Sequence, residues 1–262
     1  MSEEPAAQLP LAVRERTLAR FEQHRRAWNS NRALRICYRE WYGLIRANLP
    51  ARDLGPWVEI GSGPGLAKEF IPELVLTDIV QAPWHERQAL AESLPFPASS
   101  VGALVLFDVL HHVAVPPHFF TEADRVLCPG GRIVLIEPYI SPISYVIYGH
   151  FHEEPAILSA DPLALTRAPS DEAKDPFTSN QAIPTLLFCR DHRRRFAQAF
   201  PNLVVTRLRR MAGLAYPATG GFNRRPFLPF PMWRALYSLE RLLPEVAFRL
   251  FGFRMLVMIE KK

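Results

Sequence analysis

WVEIGSGPGLAKEF, Trp57 to Phe70, is the stretch on which the fold turns. Trp57, Val58 and Ile60 make an apolar strand that runs directly into Gly61-Ser62-Gly63-Pro64-Gly65, and a helical pattern follows. Glycine is needed where the backbone turns with positive φ or must approach a ligand without a Cβ in between. The helix that follows is expected to aim its unpaired N–H groups at whatever sits in that crevice. Glu59, one residue before the apolar end of the strand, sets a carboxylate beside it. A strand–glycine turn–helix is a nucleotide-cofactor signature that is weak alone. The segments downstream strengthen it.

Glu73 to Ile79 reads as a short buried strand ending in the carboxylate of Asp78, where doubly wound sheets bind ribose hydroxyls. A turn- or helix-capping aspartate is the plain alternative there. After Leu94-Pro95-Phe96-Pro97, the run Val101 to Val109 is a buried strand by its length and β-branched content, and His111-His112 sit just beyond it. A helix from Pro117 to Leu127 leads through Cys128-Pro129-Gly130-Gly131 into a further strand, Arg132 to Pro138, which carries Glu137. Leu66 stands where a dinucleotide fingerprint has its third small residue, which speaks against NAD or FAD. No Tyr-x-x-x-Lys pair follows the HHV strand, which weakens a reductase reading further.

The array VEIGSGPG, LTDI, LPFPASSV, LFDVLHHV and RVLCPGGRIVLIEP, between Trp57 and Pro138, resembles the class I S-adenosylmethionine-dependent methyltransferases. Within them it is most similar to the small-molecule branch related to ubiquinone and menaquinone methyltransferases. The resemblance implies an α/β fold with a doubly wound, seven-stranded, mostly parallel Rossmann-like sheet, and the cofactor S-adenosyl-L-methionine. It implies that Glu59, Gly61, Ser62, Gly63 and Gly65 hold the methionine end of the cofactor. Asp78 with Ile79 then takes the ribose, Leu90, Ala91 and Glu92 line the adenine, and Phe107 borders the cofactor. The family's adenine-binding Asp is Leu90 here, an acceptor loss worth about 1 kcal/mol. Backbone at Ala91 or the carboxylate of Glu92 is left to compensate. In some natural-product O-methyltransferases of this branch a histidine of LHHV is the base, which implies His111 or His112. The same motif also serves as a fold element with one ring packed on the cofactor. Asp108 is placed to orient a histidine, and Glu137 to bring a second carboxylate near the acceptor.

With 262 residues, 48% of them hydrophobic, the chain can bury one sizeable core. One domain overall is expected, in three parts: 1–50 a helical cap, 51–138 the cofactor-binding half, and 139–262 the cap insertions with the remaining core helix and last two strands. Two helices are expected in Leu11 to Ala47, broken at Asn29-Ser30-Asn31. The stripe Leu34, Cys37, Tyr38, Trp41, Leu44 and Ile45 is core packing, with Tyr38, Trp41 or Tyr42 candidates for the substrate cavity. A helix from Thr185 to Phe200, a strand from Leu203 to Leu208 and a last strand from Phe253 to Glu260 complete the core. An apolar helix near Met232 to Leu243 interrupts what is usually a close hairpin and reads as a lid. The prolines, 25 in all, gather in 138–184 and 217–231, as irregular lid segments do.

Three scattered cysteines give neither a disulfide framework nor a zinc cluster. His150-Phe151-His152-Glu153-Glu154 invites a metal reading, but without a third ligand cluster of matching spacing it reads better as substrate-contacting cap, and no metal is expected. The opening Met1-Ser2-Glu3-Glu4 has no basic-plus-apolar leader pattern, and no run reaches membrane-span length, so a cytoplasmic location is expected. Arginines crowd the C-terminal half, and a net charge of +5 favours anionic partners. A solvated basic face is the plain reading. The sharper one is an anionic or lipid-linked acceptor, with peripheral membrane contact through Phe227, Phe230, Trp233, Leu236, Tyr237 and Leu239. Nucleic acid is not expected as a partner, because no Asn/Asp-Pro-Pro-aromatic motif is present. The leading expectation is a small-molecule methyltransferase acting on a hydroxyl oxygen of a secondary metabolite, glycan precursor or lipid-linked intermediate. The competing one is a catalytically inactive methyltransferase-fold binding or scaffold protein, for which Leu90 is the one supporting feature. The oligomeric state is not legible.

Overall fold

The structure, a computed structural model, describes residues 9–151, 154–165, 176–189 and 192–262. Strands β1 (Trp57–Ile60), β2 (Val75–Asp78), β3 (Arg87–Gln88), β4 (Val101–Phe107), β5 (Leu127–Pro138), β6 (Leu203–Met211) and β7 (Arg254–Lys261) form one sheet. Their order is β3-β2-β1-β4-β5-β7-β6, with β7 antiparallel to both neighbours and the rest parallel. This is the seven-stranded, mostly parallel sheet of the class I methyltransferase fold.

Alternation along β4 shows how the sequence builds two layers. All seven β4 residues are buried, and successive side chains point to opposite faces. Leu104 and Leu106 pack with Phe119, Phe120 and Ala123 of α3 (Pro116–Val126) and with Phe188 and Phe196. Ala103, Val105 and Phe107 pack on the other face with Leu34, Tyr38, Trp41 and Ile45 of α2 (Arg32–Asn48). A strand buried on both faces must be apolar at every position, which is why Val101 to Phe107 reads as an unbroken run.

The expected break between the first two helices falls at Asn31, between α1 (Leu11–Ser30) and α2. Asn31 Oδ1 accepts from the Leu34 N–H at 3.0 Å, and its Nδ2 donates to the Thr219 carbonyl at 2.9 Å. One side chain therefore starts α2 and ties it to the chain between β6 and β7.

Two expectations need correction. The glycine turn does not open a full helix: only a single 3₁₀ turn, Leu66–Glu69, follows it. Pro72 disfavours helical backbone at Ile71 and offers no N–H, and β2 begins at Val75, so no length remains for a helix. The helix expected from Thr185 to Phe200 is two, α5 (Ile183–Cys189) and α6 (His192–Ala199). Between Pro138 and α5 the cap contains α4 (Pro142–Phe151). The β6–β7 excursion, residues 212–253, holds α7 (Ala215–Ala218), α8 (Phe230–Glu240) and α9 (Phe248–Phe251). Among the described residues no helix is long and apolar enough to cross a membrane.

Gly61, Gly63 and Gly65 all have positive φ, at 66°, 48° and 72°. A Cβ on Gly61 would lie 2.6 Å from Val109 Cγ2, so both backbone conformation and space exclude it. Gly61→Ala is expected to lower stability by about 1–3 kcal/mol. Thermal unfolding reads this as a lower Tm; an unchanged Tm would show that Val109 yields without cost.

Candidate active site

The C-terminal ends of β1, β2 and β4 converge on one cavity of about 760 Å³, closed by α1, α2, the cap and the β6–β7 excursion. Its two ends differ in chemistry.

At the first end Glu59 is 2% exposed. Its Oε1 accepts from the Tyr42 hydroxyl at 2.9 Å, while Oε2 is buried with no partner among the described residues. Burial, outweighing that hydrogen bond, pushes the Glu59 carboxyl up to about 7. An orphaned buried carboxylate oxygen facing a cavity fits a cationic donor from a ligand. The turn beside it is held from behind. Gly63 N–H donates to Asp78 Oδ2 at 2.8 Å, and the Gly63 carbonyl meets both Trp84 Nε1 and His85 Nε2 at 2.8 Å. Ser62 Oγ bonds the Glu59 carbonyl and the Thr77 N–H, each at 3.2 Å, so its hydroxyl knits β1 to β2.

Asp78 takes a second backbone donor, the Val80 N–H on Oδ1 at 2.9 Å. These bonds give Asp78 the turn-capping role, and its carboxylate also lines the cavity. Ile79, Leu90, Ala91 and Glu92 line the same end. Glu92 Oε1 accepts from the Val115 N–H at 2.9 Å, which fixes the segment entering α3. Phe107 stacks on Tyr38 and Tyr42, with ring centroids 4.7 and 5.1 Å away, and the three rings line the cavity.

At the second end His111 and His112 lie on a 3₁₀ turn, Leu110–His112, directly after β4. Glu137, fully buried at the end of β5, accepts from the Val109 and Leu110 N–H groups on Oε1, at 2.8 and 2.7 Å, and from His111 Nδ1 on Oε2 at 2.7 Å. The expectation that Glu137 brings a second carboxylate toward the cavity needs correction: its oxygens are taken by these three donors, and it lies behind His111 rather than in the cavity lining. His111 Nε2 and His112 Nε2 stand 3.7 and 3.9 Å from the two oxygens of Glu154, which reaches in from the cap and accepts from Gln181 Nε2. Burial works against the His111 imidazolium, but the hydrogen bond and charge of Glu137, with Glu154 and Asp108, outweigh it and raise its pKa to about 9. Glu154 is held well below the usual carboxylate range: burial opposes this, and the two histidines overcome it.

His111, His112 and Glu154 bring one donor atom each within 4.8 Å of one another, as do Asp108, His111 and Glu137. The first set could hold a cation; in the second, Glu137 is already committed to backbone. The HFHEE motif is thus split: Glu154 joins the histidines after β4, while His152 and Glu153 lie outside the described residues.

Sequence reasoning missed four contributors. Trp84 and His85 buttress the glycine turn, Gln181 holds Glu154, and Arg254 on β7 pairs with Asp108 and the Tyr216 hydroxyl in the cavity wall. Asp108 has φ 58°, rare for a residue with a side chain. Nothing in local sequence patterning announces these contacts, because every one is long-range.

Residues 58–135 match the methyltransferase domain family. That segment runs from β1 into β5 and contains the glycine turn, Asp78 and the histidine pair, so the chain carries a methyltransferase domain. No curated protein matches the chain. Among solved structures it is similar to geranyl diphosphate C-methyltransferase from Streptomyces coelicolor A3(2), at 15% identity over 85% of this chain and 79% of that one, with a TM-score of 0.45. An S-adenosylmethionine-dependent methyltransferase from Mesorhizobium loti gives 16%, 85%, 98% and 0.48. The Bacillus subtilis protein YcgJ gives 13%, 84%, 98% and 0.47.

His111 is expected to titrate near 9 in an NMR pH series. Because its folded pKa lies above the ordinary 6.5, its protonated form adds stability that is complete below 6.5 and is lost as pH rises through about 9. Glu137→Gln should bring the titration down toward the ordinary value; a midpoint left near 9 would show that Glu137 is not the cause.

Proposed function

We propose that this methyltransferase moves the methyl group of S-adenosylmethionine to a hydroxyl oxygen of a small-molecule acceptor: a secondary metabolite, a glycan precursor or a lipid-linked intermediate. The observation that carries the reading is one cavity holding both the unpartnered oxygen of Glu59 beside the glycine turn and the His111 ring backed by Glu137. Glu59 would receive the amino group of the cofactor's methionine end, the turn from Gly61 to Gly65 its carboxylate end, and Asp78 its ribose. Bound there, the cofactor supplies a methyl group on a sulfonium, which leaves by in-line displacement and asks the protein mainly for positioning and proton removal.

His111 takes the proton. Glu137 accepts from Nδ1, so the neutral ring presents its Nε2 lone pair to the cavity, and Glu154 stabilises the imidazolium that forms. His112, its ring centroid 4.2 Å from that of His111, flanks the acceptor. The competing scaffold reading draws support from Leu90 alone.

Calorimetric titration with S-adenosylhomocysteine is the direct test. Binding should tighten as pH rises through about 7, where unliganded Glu59 loses its proton. Glu59→Gln should weaken it by about 2 kcal/mol, the worth of a charge-assisted hydrogen bond. Absence of binding by the unaltered chain would favour the scaffold reading.

For turnover, His111→Ala should lower kcat by about 10²–10⁴-fold with cofactor affinity unchanged. The kcat/KM of the unaltered enzyme should rise with pH toward about 9, since the base must first be neutral. A flat pH profile or an unaffected His111→Ala variant would remove the base and leave positioning alone.

A further inference from the structure

The excursion between β6 and β7 leaves a concentration of apolar side chains in solvent. Phe227, Met232, Leu239, Leu242, Val246 and Leu250 all stand out from it, Leu242 at 81% and Leu239 at 64% exposure. Tyr145 and Val146 of α4, the helix packed against α9, are exposed as well. Single exposed apolar residues are ordinary on a protein surface; a cluster is not. The segment is nevertheless firmly attached from below. Trp233 Nε1 donates to the Ala215 carbonyl at 2.7 Å, and buried Glu240 accepts from the Ala215 N–H at 3.0 Å. The apolar face is therefore held outward by polar ties on the inner face of α8.

Its charge is predominantly positive. Arg224, Arg225, Arg234, Arg241 and Arg249 are exposed along it against one exposed carboxylate, Glu245, which accepts from the Arg210 N–H at 3.2 Å, while Glu240 is buried. Two copies meeting through this face would set arginine against arginine, which opposes self-association. Leucine and arginine interspersed on one rigid face instead match the acyl boundary and phosphate layer of a lipid surface.

We propose that this face docks the protein on an anionic bilayer. Arg224 and Phe227 also line the cavity, as do Ile147 and Tyr148 of α4, so the docked face rims the cavity mouth. An acceptor with an acyl or polyprenyl tail then reaches the site from the bilayer without crossing water. That last link rests on the functional reading above; the docking itself rests on exposure and charge.

Vesicle co-sedimentation of the full chain tests it, with phosphatidylcholine vesicles and with phosphatidylcholine–phosphatidylglycerol vesicles. The protein should sediment with the anionic vesicles, much less with the neutral ones, and less as salt is raised. Leu239→Asp/Leu242→Asp and Arg234→Glu/Arg241→Glu should each reduce partitioning by about tenfold or more. All four positions are exposed, so both variants should keep their circular dichroism and their affinity for S-adenosylhomocysteine. Protein left in the supernatant with both vesicle types, or variants that partition like the parent, would overturn the proposal. So would a dimer seen by light scattering that Leu239→Asp/Leu242→Asp dissolves while vesicles bind nothing, because a second copy would then own the face. The cofactor titration uses no vesicles, so its failure would strike the functional reading and leave the docking result standing.

Discussion

Glu137 is the constraint on which the site depends. A fully buried carboxylate is unfavourable unless its lone pairs are met, and here the Val109 and Leu110 N–H groups and His111 Nδ1 meet them. β5 is gripped by β4 on one side and β7 on the other, so the carboxylate cannot move away. The chain leaving β4 must therefore fold around it as a 3₁₀ turn. That turn fixes both histidines, selects the tautomer of His111 and keeps its ring in the cavity. Replacing the carboxylate would leave two backbone donors unpaired, at about 1–3 kcal/mol each.

The other end of the cavity is built on the same principle with the roles exchanged. There a glycine backbone turn is the group to be fixed, and side chains restrain it. Asp78, Trp84 and His85 all bond Gly63, so a turn with three left-handed residues persists without a long helix behind it. Glu59 is the exception, with one oxygen bonded to Tyr42 and one without a partner among the described residues. A buried carboxylate oxygen left without a donor among the described residues marks where a ligand can supply one. The stacked rings of Phe107, Tyr38 and Tyr42 line the one cavity that holds both ends.

The departures from a minimal sheet sit at the mouth of that cavity. The cap brings Glu154 and Gln181 to the histidines, and the β6–β7 excursion brings Tyr216, Phe222 and Phe227. The excursion then spends its outer surface on exposed leucines and arginines, which contribute nothing to the core. Conserving the core while loading the insertions is how one fold serves different acceptors, since function resides in the site and not in the sheet.

Most of the sheet was legible in the sequence because each element there is a local matter. Val101 to Phe107 is apolar at every position because both its faces are covered, and glycines stand where φ must be positive. Both are properties of a few consecutive residues, and they place individual strands and the glycine turn, while the seven-stranded sheet itself was what the family resemblance implied. Pro72 was equally visible, yet its effect was not: that the glycine turn stops after one 3₁₀ turn follows from how soon β2 must begin. The pairing of Asp108 with Arg254, and of Glu154 with a histidine pair on another segment, only the tertiary structure decided. So too with Glu137, whose residue type suggested contact with an acceptor and whose burial makes it the support of His111. Charge and hydrogen-bond partners are set by what the fold brings within about 4 Å, and no spacing along the chain encodes that distance.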